Sequence, residues 1–89
     1  MVVSNDKNRK VLTLYIGESC HLCDQARQVV LPVITGTDWV LEEVVITGNE
    51  ALMAAYGIRI PVVKTSAGAE KGWPFTPGQI KRLIAGVDA

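Results

Sequence analysis

The fold of this chain is decided by residues 11–23, VLTLYIGESCHLC. Residues 11–17 are almost all apolar, and most of them are β-branched or aromatic, as in a strand covered on both faces. Cys20 and Cys23 follow directly, and beyond them the apolar residues recur at helical spacing. A strand is therefore predicted to run straight into a helix, with two cysteines three positions apart at the junction.

The apolar residues beyond the first cysteine predict where the first helix packs. The positions between them are polar, so one face of the helix is expected to meet the core. Pro32 is expected to end or kink this helix late, because proline has no N–H to donate. The predicted buried stripe consists of Leu22, Ala26, Val29, Val30 and Val33.

Three further segments are predicted to form strands, at residues 39–46, 58–64 and 69–72. The predicted element order is β-α-β-α-β-β-α. Early alternation of strand and helix predicts a parallel pair joined by a right-handed crossover, and the close pair of late strands predicts an antiparallel pairing. The class is therefore α/β, with a four-stranded mixed sheet flanked by three helices. We expect one domain over residues 11–89, after a flexible N-terminal segment at residues 1–10.

The ends of the two later helices have their own signals. Thr47 and Glu50 have the spacing of a capping box, and Gly57 is expected to close that helix in a left-handed conformation. Thr76 is predicted to cap the last helix, with Pro77 as its first residue.

Charge and cysteine content exclude several classes of protein. Formal net charge is zero, and residues 11–63 contain only Arg27 and Arg59 against six acidic residues. Nucleic acid is therefore not expected as a partner, since phosphate binding needs clustered Lys and Arg. Two cysteines are too few for a disulfide-stapled secreted scaffold. We see no signal peptide and no run of about 20 apolar residues that would span a membrane, and we expect a cytoplasmic protein.

Cys20 and Cys23 are the candidate reactive groups. A thiolate at the start of a helix can accept from unpaired N–H groups, so the pKa of Cys20 is expected to fall. Cys20 would attack a disulfide, and the more enclosed Cys23 would resolve the mixed disulfide. His21, if protonated, would stabilise the thiolate, whereas Glu18 and Asp24 would oppose it. The alternative for His21 is an ordinary exposed residue.

Two other interpretations of the cysteine pair stay open. Two cysteines at this spacing also form half of a zinc site, and a metal or cluster bound by Cys20 and Cys23 across a dimer would need a second chain. A domain that keeps the fold as a binding module without redox activity is the other alternative.

The wider pattern resembles a known family. A strand, a Cys-x-x-Cys that opens a helix, and a distant Ile60-Pro61 that opens a strand resemble the thioredoxin superfamily, and the short chain resembles its glutaredoxin branch. The run Cys20-His21-Leu22-Cys23, the segment YGIRIP at residues 56–61 and the later WPF at residues 73–75 are similar to a family of small glutaredoxin-like proteins. The resemblance covers residues 11–86.

The resemblance implies a thioredoxin-like fold and roles for individual residues. Cys20 would be the nucleophile and Cys23 the resolving thiol. Pro61 would be a cis proline facing them, and Ile60 would offer its backbone N–H and C=O to an extended substrate. Arg59 is a candidate to bind a substrate carboxylate, with a solvated arginine as the alternative.

The chain departs from glutaredoxins at the residues that hold glutathione. Glu18 stands where glutaredoxins carry a basic residue, and residues 71–76 contain no Gly-Gly pair. The resemblance therefore does not carry a glutathione site over to this chain.

The predicted function is thiol–disulfide exchange with a disulfide-containing protein or a small thiol. Cys20 and Cys23 would be catalytic, and Ile60, Pro61, Arg59 and His21 would contact substrate. We expect no metal and no bound cofactor, with an external thiol such as glutathione as a reductant, and a monomer that binds neither nucleic acid nor membrane.

Overall fold

The elements of the chain follow the predicted order. The computed structural model describes residues 10–18 and 20–88. The predicted flexible segment at residues 1–10 therefore lies outside the described residues, except for Lys10. The elements are β1 (Val11–Ile16), α1 (His21–Ile34), β2 (Val40–Val45), α2 (Glu50–Tyr56), β3 (Val62–Thr65), β4 (Glu70–Gly72) and α3 (Pro77–Asp88).

The four strands form one mixed sheet in the order β2-β1-β3-β4. β1 pairs in parallel with β2, with Leu14 opposite Glu43, and antiparallel with β3, with Leu14 opposite Val63. β3 and β4 are antiparallel, with Val63 opposite Lys71. The predicted parallel and antiparallel pairs are both confirmed, and β1 has a neighbour on each edge.

Both faces of β1 are covered, as its apolar sequence predicts. Leu12, Leu14 and Ile16 point to one face, where they pack with buried residues of α1 and α3. Tyr15 points to the other face and packs with Tyr56 of α2. Alternate residues of a strand face opposite sides of the sheet, so this strand contributes to both cores.

The buried face of α1 differs from the predicted stripe at both ends, and Val29 and Val33 of that stripe are only partly buried. Cys23, Ala26, Val30 and Ile34 are the buried residues, whereas Leu22 is 43% exposed. The helix begins at His21, and this start rotates Cys23 toward the core and Leu22 toward solvent. Pro32 lies inside the last turn, and the helix ends within a few residues of it, as predicted.

Two predicted helix ends are wrong and one is confirmed. Asn49, not Thr47, caps α2: its side-chain oxygen accepts from the N–H of Leu52 at 3.0 Å, because the helix begins at Glu50. Gly57 is right-handed, with φ −49°; a Cβ there would lie 2.5 Å from the carbonyl oxygen of Met53. Close backbone approach, and not a positive φ, explains this glycine.

The cap of α3 forms at Thr76 as predicted. The hydroxyl of Thr76 accepts from the N–H of Gln79 at 3.2 Å, and the side-chain oxygen of Gln79 accepts from the N–H of Thr76 at 2.9 Å. This reciprocal pair is a capping box, and it precedes the apolar stripe that packs on the sheet.

The third strand is shorter than predicted. It begins at Val62, and Ile58 is fully exposed. The carbonyl of Tyr56 accepts from the N–H groups of both Arg59 (2.8 Å) and Ile60 (3.1 Å), so the chain turns at this point before it extends.

A buried tyrosine joins α2 to β4. Tyr56 stacks on Tyr15 with ring centroids 4.3 Å apart, and its hydroxyl donates to Glu70 at 2.8 Å. Arg59 binds the other oxygen of Glu70 at 3.1 Å. The hydrogen bond to Glu70, together with burial, raises the pKa of Tyr56 to about 12. The same bond holds the pKa of Glu70 below its usual value, against the opposing effect of burial.

Tyr56→Phe is expected to lower the free energy of unfolding at pH 7 by about 1.5 kcal/mol, because the ring stays and the bond to a charged acceptor is lost. The folded pKa of Tyr56 lies above its ordinary value of 10.0, so this contribution is complete below pH 10 and is lost as the pH rises through about 12. Urea unfolding between pH 7 and 12 measures it. Wild type should lose stability relative to Tyr56→Phe across pH 10–12, and parallel curves there would contradict the assignment.

Candidate active site

Cys20 is the N-cap of α1. Its backbone is extended, with φ −90° and ψ 107°, and its sulfur accepts from the N–H of Cys23 at 3.2 Å. The sulfur thus takes the place that a serine or aspartate oxygen usually occupies at a helix start. The cysteine therefore both ends the turn after β1 and lies at the positive end of the helix dipole.

The two cysteines differ in their access to solvent. They are joined as a disulfide, with Cα atoms 5.2 Å apart. Cys20 is half-buried, whereas Cys23 lies inside the core and is 2% exposed. An incoming reagent therefore reaches Cys20 before Cys23, which agrees with the order of attack expected from the sequence.

A shallow cavity of about 410 Å³ opens beside the disulfide. The end of β1 forms one wall and the first two turns of α1 form the other. The cavity is lined by Ile16, Gly17, Cys20, His21, Cys23, Asp24 and Arg27. His21, the first residue of α1, is exposed on its rim.

Arg27 lines this cavity and was missed by the sequence analysis. Its Nε and Nη2 donate to the two carboxylate oxygens of Glu43, at 2.5 and 2.9 Å, and its Nη1 donates to Asp24 at 2.8 Å. These hydrogen bonds raise the pKa of Arg27, and the bond to Glu43 has the larger effect. The bond to Arg27 in turn lowers the pKa of Glu43, although burial alone would raise it. The three-residue spacing of Asp24 and Arg27 on one helix could have indicated their ion pair. Glu43 lies on another element, so no local spacing indicates its bond to Arg27.

Ile60 lies beside Gly17, one of the residues that line the cavity. A Cβ on Gly17 would be 2.8 Å from Cδ1 of Ile60, so the missing side chain makes room for Ile60 at the end of β1. The Ile60–Pro61 peptide bond is cis, and Pro61 is buried. The N–H of Ile60 donates to the carbonyl of Tyr56 at 3.1 Å, so an added strand would meet the Ile60 carbonyl or displace this bond.

Arg59 is not brought to the cysteines. It binds Glu70, donates to the carbonyl of Ala55 at 3.3 Å, and lies over the ring of Tyr56, 5.4 Å from its centroid. The cavity walls include His21 but not Arg59. Of the predicted substrate-binding residues, His21 therefore lines the cavity, Ile60 lies beside the lining residue Gly17, and Arg59 lies on the α2 side of the sheet.

Trp73 and Phe75 form an aromatic pair beside the core. Their rings meet edge to face with centroids 5.0 Å apart, and Phe75 is buried. The N–H of Trp73 donates to the carbonyl of Pro61 at 2.9 Å. This bond holds the connector before α3 against Pro61, the residue that precedes β3.

Metal ligands are not grouped in the described part of the chain. Within residues 10–18 and 20–88, no three or more His, Cys, Asp or Glu side chains are placed to hold a metal ion together. A metal bound by the cysteine pair would thus need ligands from outside these residues.

None of the helices in the described ranges has the length and apolar character needed to cross a bilayer.

Comparison with known proteins identifies the family. Residues 11–85 match the glutaredoxin-like domain family (DUF836). The chain belongs to this family. The match runs from the start of β1 into α3, so the resemblance inferred from the cysteine motif and Ile60-Pro61 is confirmed. No protein of curated function matches the chain.

Solved structures confirm the thioredoxin-like fold of this glutaredoxin-like domain. A protein from X. campestris, solved by X-ray crystallography, is 36% identical, with a TM-score of 0.73 over 84% of this chain and 96% of the other. A protein from Nitrosomonas europaea is 24% identical, with a TM-score of 0.71 over 96% and 98%. A mutant thioredoxin from Halobacterium salinarum is 24% identical, with a TM-score of 0.70 over 91% and 76%.

Gly17→Ala is expected to lower the free energy of unfolding of the glutaredoxin-like domain by about 1 kcal/mol, because the new methyl pushes the end of Ile60 out of its rotamer. Gly86→Ala is the matched control: a Cβ there meets nothing within 4 Å, and the position is helical. Gly86→Ala should raise the free energy of unfolding by up to about 1 kcal/mol, because alanine is favoured over glycine inside a helix. Urea unfolding measures the free energy of unfolding of both variants. A loss of the same size in Gly17→Ala and Gly86→Ala would contradict the contact between position 17 and Ile60.

Proposed function

We propose that this glutaredoxin-like domain exchanges thiols and disulfides with a partner through Cys20 and Cys23. The observation that carries the proposal is the unequal placement of the two sulfurs at one helix start. Cys20 is half-buried, lines the cavity and accepts from a backbone N–H, whereas Cys23, which also lines the cavity, is only 2% exposed and packs in the core. One sulfur is thus placed to react with a partner and the other to react only with the first.

The reaction follows from this arrangement. In the reduced domain, the Cys20 thiolate attacks one sulfur of a partner disulfide; a new S–S bond forms as the old one breaks, and the first partner thiolate leaves and takes a proton. Cys23 then loses its proton and attacks the sulfur of Cys20, which releases the second partner thiol. The partner gains two electrons and two protons, and the domain ends as the Cys20–Cys23 disulfide. An external thiol, for example glutathione, would reduce it again.

The helix start supports the first step. The N–H of Cys23 already points at the sulfur of Cys20, and a hydrogen bond to a charged acceptor is stronger than one to a neutral acceptor. The dipole of α1 adds to this effect. Both favour the thiolate over the thiol, so we expect the pKa of Cys20 in the reduced domain to lie below that of a free cysteine, about 8.5.

The position of Ile60 supports a partner that approaches as an extended segment. Its side chain lies against Gly17 in the cavity wall, and an added strand would pair with its carbonyl. We therefore favour a disulfide-containing protein as the partner, and we propose that the domain acts as a monomer without a bound cofactor.

The first test is the reduction potential of the cysteine pair, measured by alkylation and mass shift in graded glutathione buffers. We expect a midpoint between about −180 and −270 mV, the range from isomerase-like to thioredoxin-like pairs. Cys23→Ser should accumulate a mixed disulfide at Cys20 with a peptide disulfide, whereas Cys20→Ser should form none.

The two serine variants control for each other, because each removes one sulfur and keeps the size of the side chain. Disulfide reduction by Cys20→Ser at the wild-type rate would refute the mechanism. If no Cys20–Cys23 disulfide forms at any potential, and both thiols resist alkylation at neutral pH, the domain acts as a binding module instead.

A further inference from the structure

Arg27, the positively charged side chain in the wall of the cysteine cavity, is already bonded to other side chains of this chain. Arg27 donates from Nε, Nη1 and Nη2, and all three bonds go to carboxylates of this chain, two to Glu43 and one to Asp24. The two bonds to Glu43 form the bidentate geometry in which a guanidinium recognises a carboxylate most strongly. A substrate carboxylate would have to displace Glu43, so Arg27 is a poor site for an anionic ligand.

The sum of charges at the cavity is negative. Asp24 and Glu43 together outnumber Arg27, and Glu18, in the turn before Cys20, is exposed and adds a further negative charge. If His21 is protonated, the sum rises by one charge but remains negative. A negative surface beside the reacting sulfur attracts cationic partners and repels anionic ones.

The other arginine near the substrate side has its own partner. Arg59 binds Glu70 at 3.1 Å, and its guanidinium packs over Tyr56. It therefore brings no uncompensated positive charge to the end of β1 where Cys20 lies.

We propose that the partner disulfide of Cys20 lies in a segment rich in Lys or Arg, and that small anionic disulfides such as glutathione disulfide are disfavoured. The inference rests on the proposed function and names the chemistry of its substrate. It is carried by the saturation of Arg27 and the negative sum of charges at the cavity. Glutathione retains a role only as a bulk reductant, not as a ligand held by a charged subsite.

The test compares three blocked peptide disulfides in which the cysteine is flanked by lysine, serine or glutamate. Pre-reduced full-length domain is mixed with each peptide at about 0.1 M salt, where the screening length is about 10 Å. The rate of Cys20–Cys23 oxidation is followed by acid quench, alkylation and mass. Each rate is divided by the rate of the same peptide with dithiothreitol, which removes the effect of the flanking charges on the peptide's own reactivity.

We expect wild type to prefer the lysine peptide over the glutamate peptide by about fivefold after this correction, within the range that electrostatic steering produces. At 1 M salt, where the screening length is about 3 Å, the preference should fall below about twofold. Glu43→Gln removes one negative charge and releases Arg27, so its preference at 0.1 M salt should also fall below about twofold.

Glu42→Gln is the matched control. It is the same substitution at the neighbouring residue, with the same change in net charge, but successive residues of β2 point to opposite faces of the sheet. Its preference should stay above about threefold at 0.1 M salt, because Glu42 points away from Arg27 and its replacement leaves the Arg27–Glu43 pair intact. Circular dichroism and urea unfolding will check that both variants are folded. If Glu43→Gln does not fold, the comparison of the peptides with wild type still decides the inference.

The outcomes separate this inference from the proposed function. Equal corrected rates for the three peptides, or a faster glutamate peptide, would overturn the inference while the serine peptide still demonstrates exchange. A preference that falls equally in Glu42→Gln and Glu43→Gln would overturn the role given to the Arg27–Glu43 pair. If none of the peptides oxidises the cysteine pair, the proposed function itself fails.

Discussion

Leu12 and Leu14 of β1 are fully buried, because α1 and α3 pack on the face of the strand to which both side chains point; α2 packs on the opposite face. Removal of such a side chain from water contributes about 1.5–3 kcal/mol to stability. β1 also pairs with a strand on each edge, so its position is determined in every direction. The last residue of β1 therefore delivers the cysteine turn to one defined place at the end of the sheet.

The cysteine pair combines a structural role with a chemical one. The sulfur of Cys20 accepts the N–H that a helix start leaves unpaired, and Cys23 fills the core directly beneath it. The same hydrogen bond that begins α1 therefore also favours the charged form of the attacking sulfur. In the proposed exchange reaction, exposure sets the order of attack, because Cys20 is half-buried whereas Cys23 is only 2% exposed.

The pair of Arg27 and Glu43 connects α1 to the edge strand β2 across the front of the sheet. Both side chains are about one-third exposed, at 31% and 33%, so solvent screens their attraction and the pair adds little to stability. Its larger effect is on recognition. A guanidinium next to a reactive sulfur usually attracts anions, and here the carboxylates of the chain itself compensate it.

The sequence by itself determined the element order, the cap at Thr76 and the placement of Cys20 and Cys23 at a helix start. These features depend on periodicity, on helix-end chemistry and on neighbours within a few residues, all of which are local. The resemblance then led to the family, and the match over residues 11–85 agrees with it. The errors at Leu22, Thr47 and Gly57 are shifts at helix ends, where several adjacent residues compete for the same bonds.

Only the tertiary structure decided which charges meet. Arg27 reads in sequence as one more polar residue of a helix, and Glu43, sixteen positions later, as part of an edge strand. The parallel pairing of β1 and β2 brings Glu43 of β2 next to Arg27 of the connecting helix α1. The turn before β3 directs Arg59 to Glu70 instead of the cysteines. Such contacts join residues distant in sequence, and no local pattern encodes them. The electrostatic character of the cavity therefore appears only once the sheet is assembled.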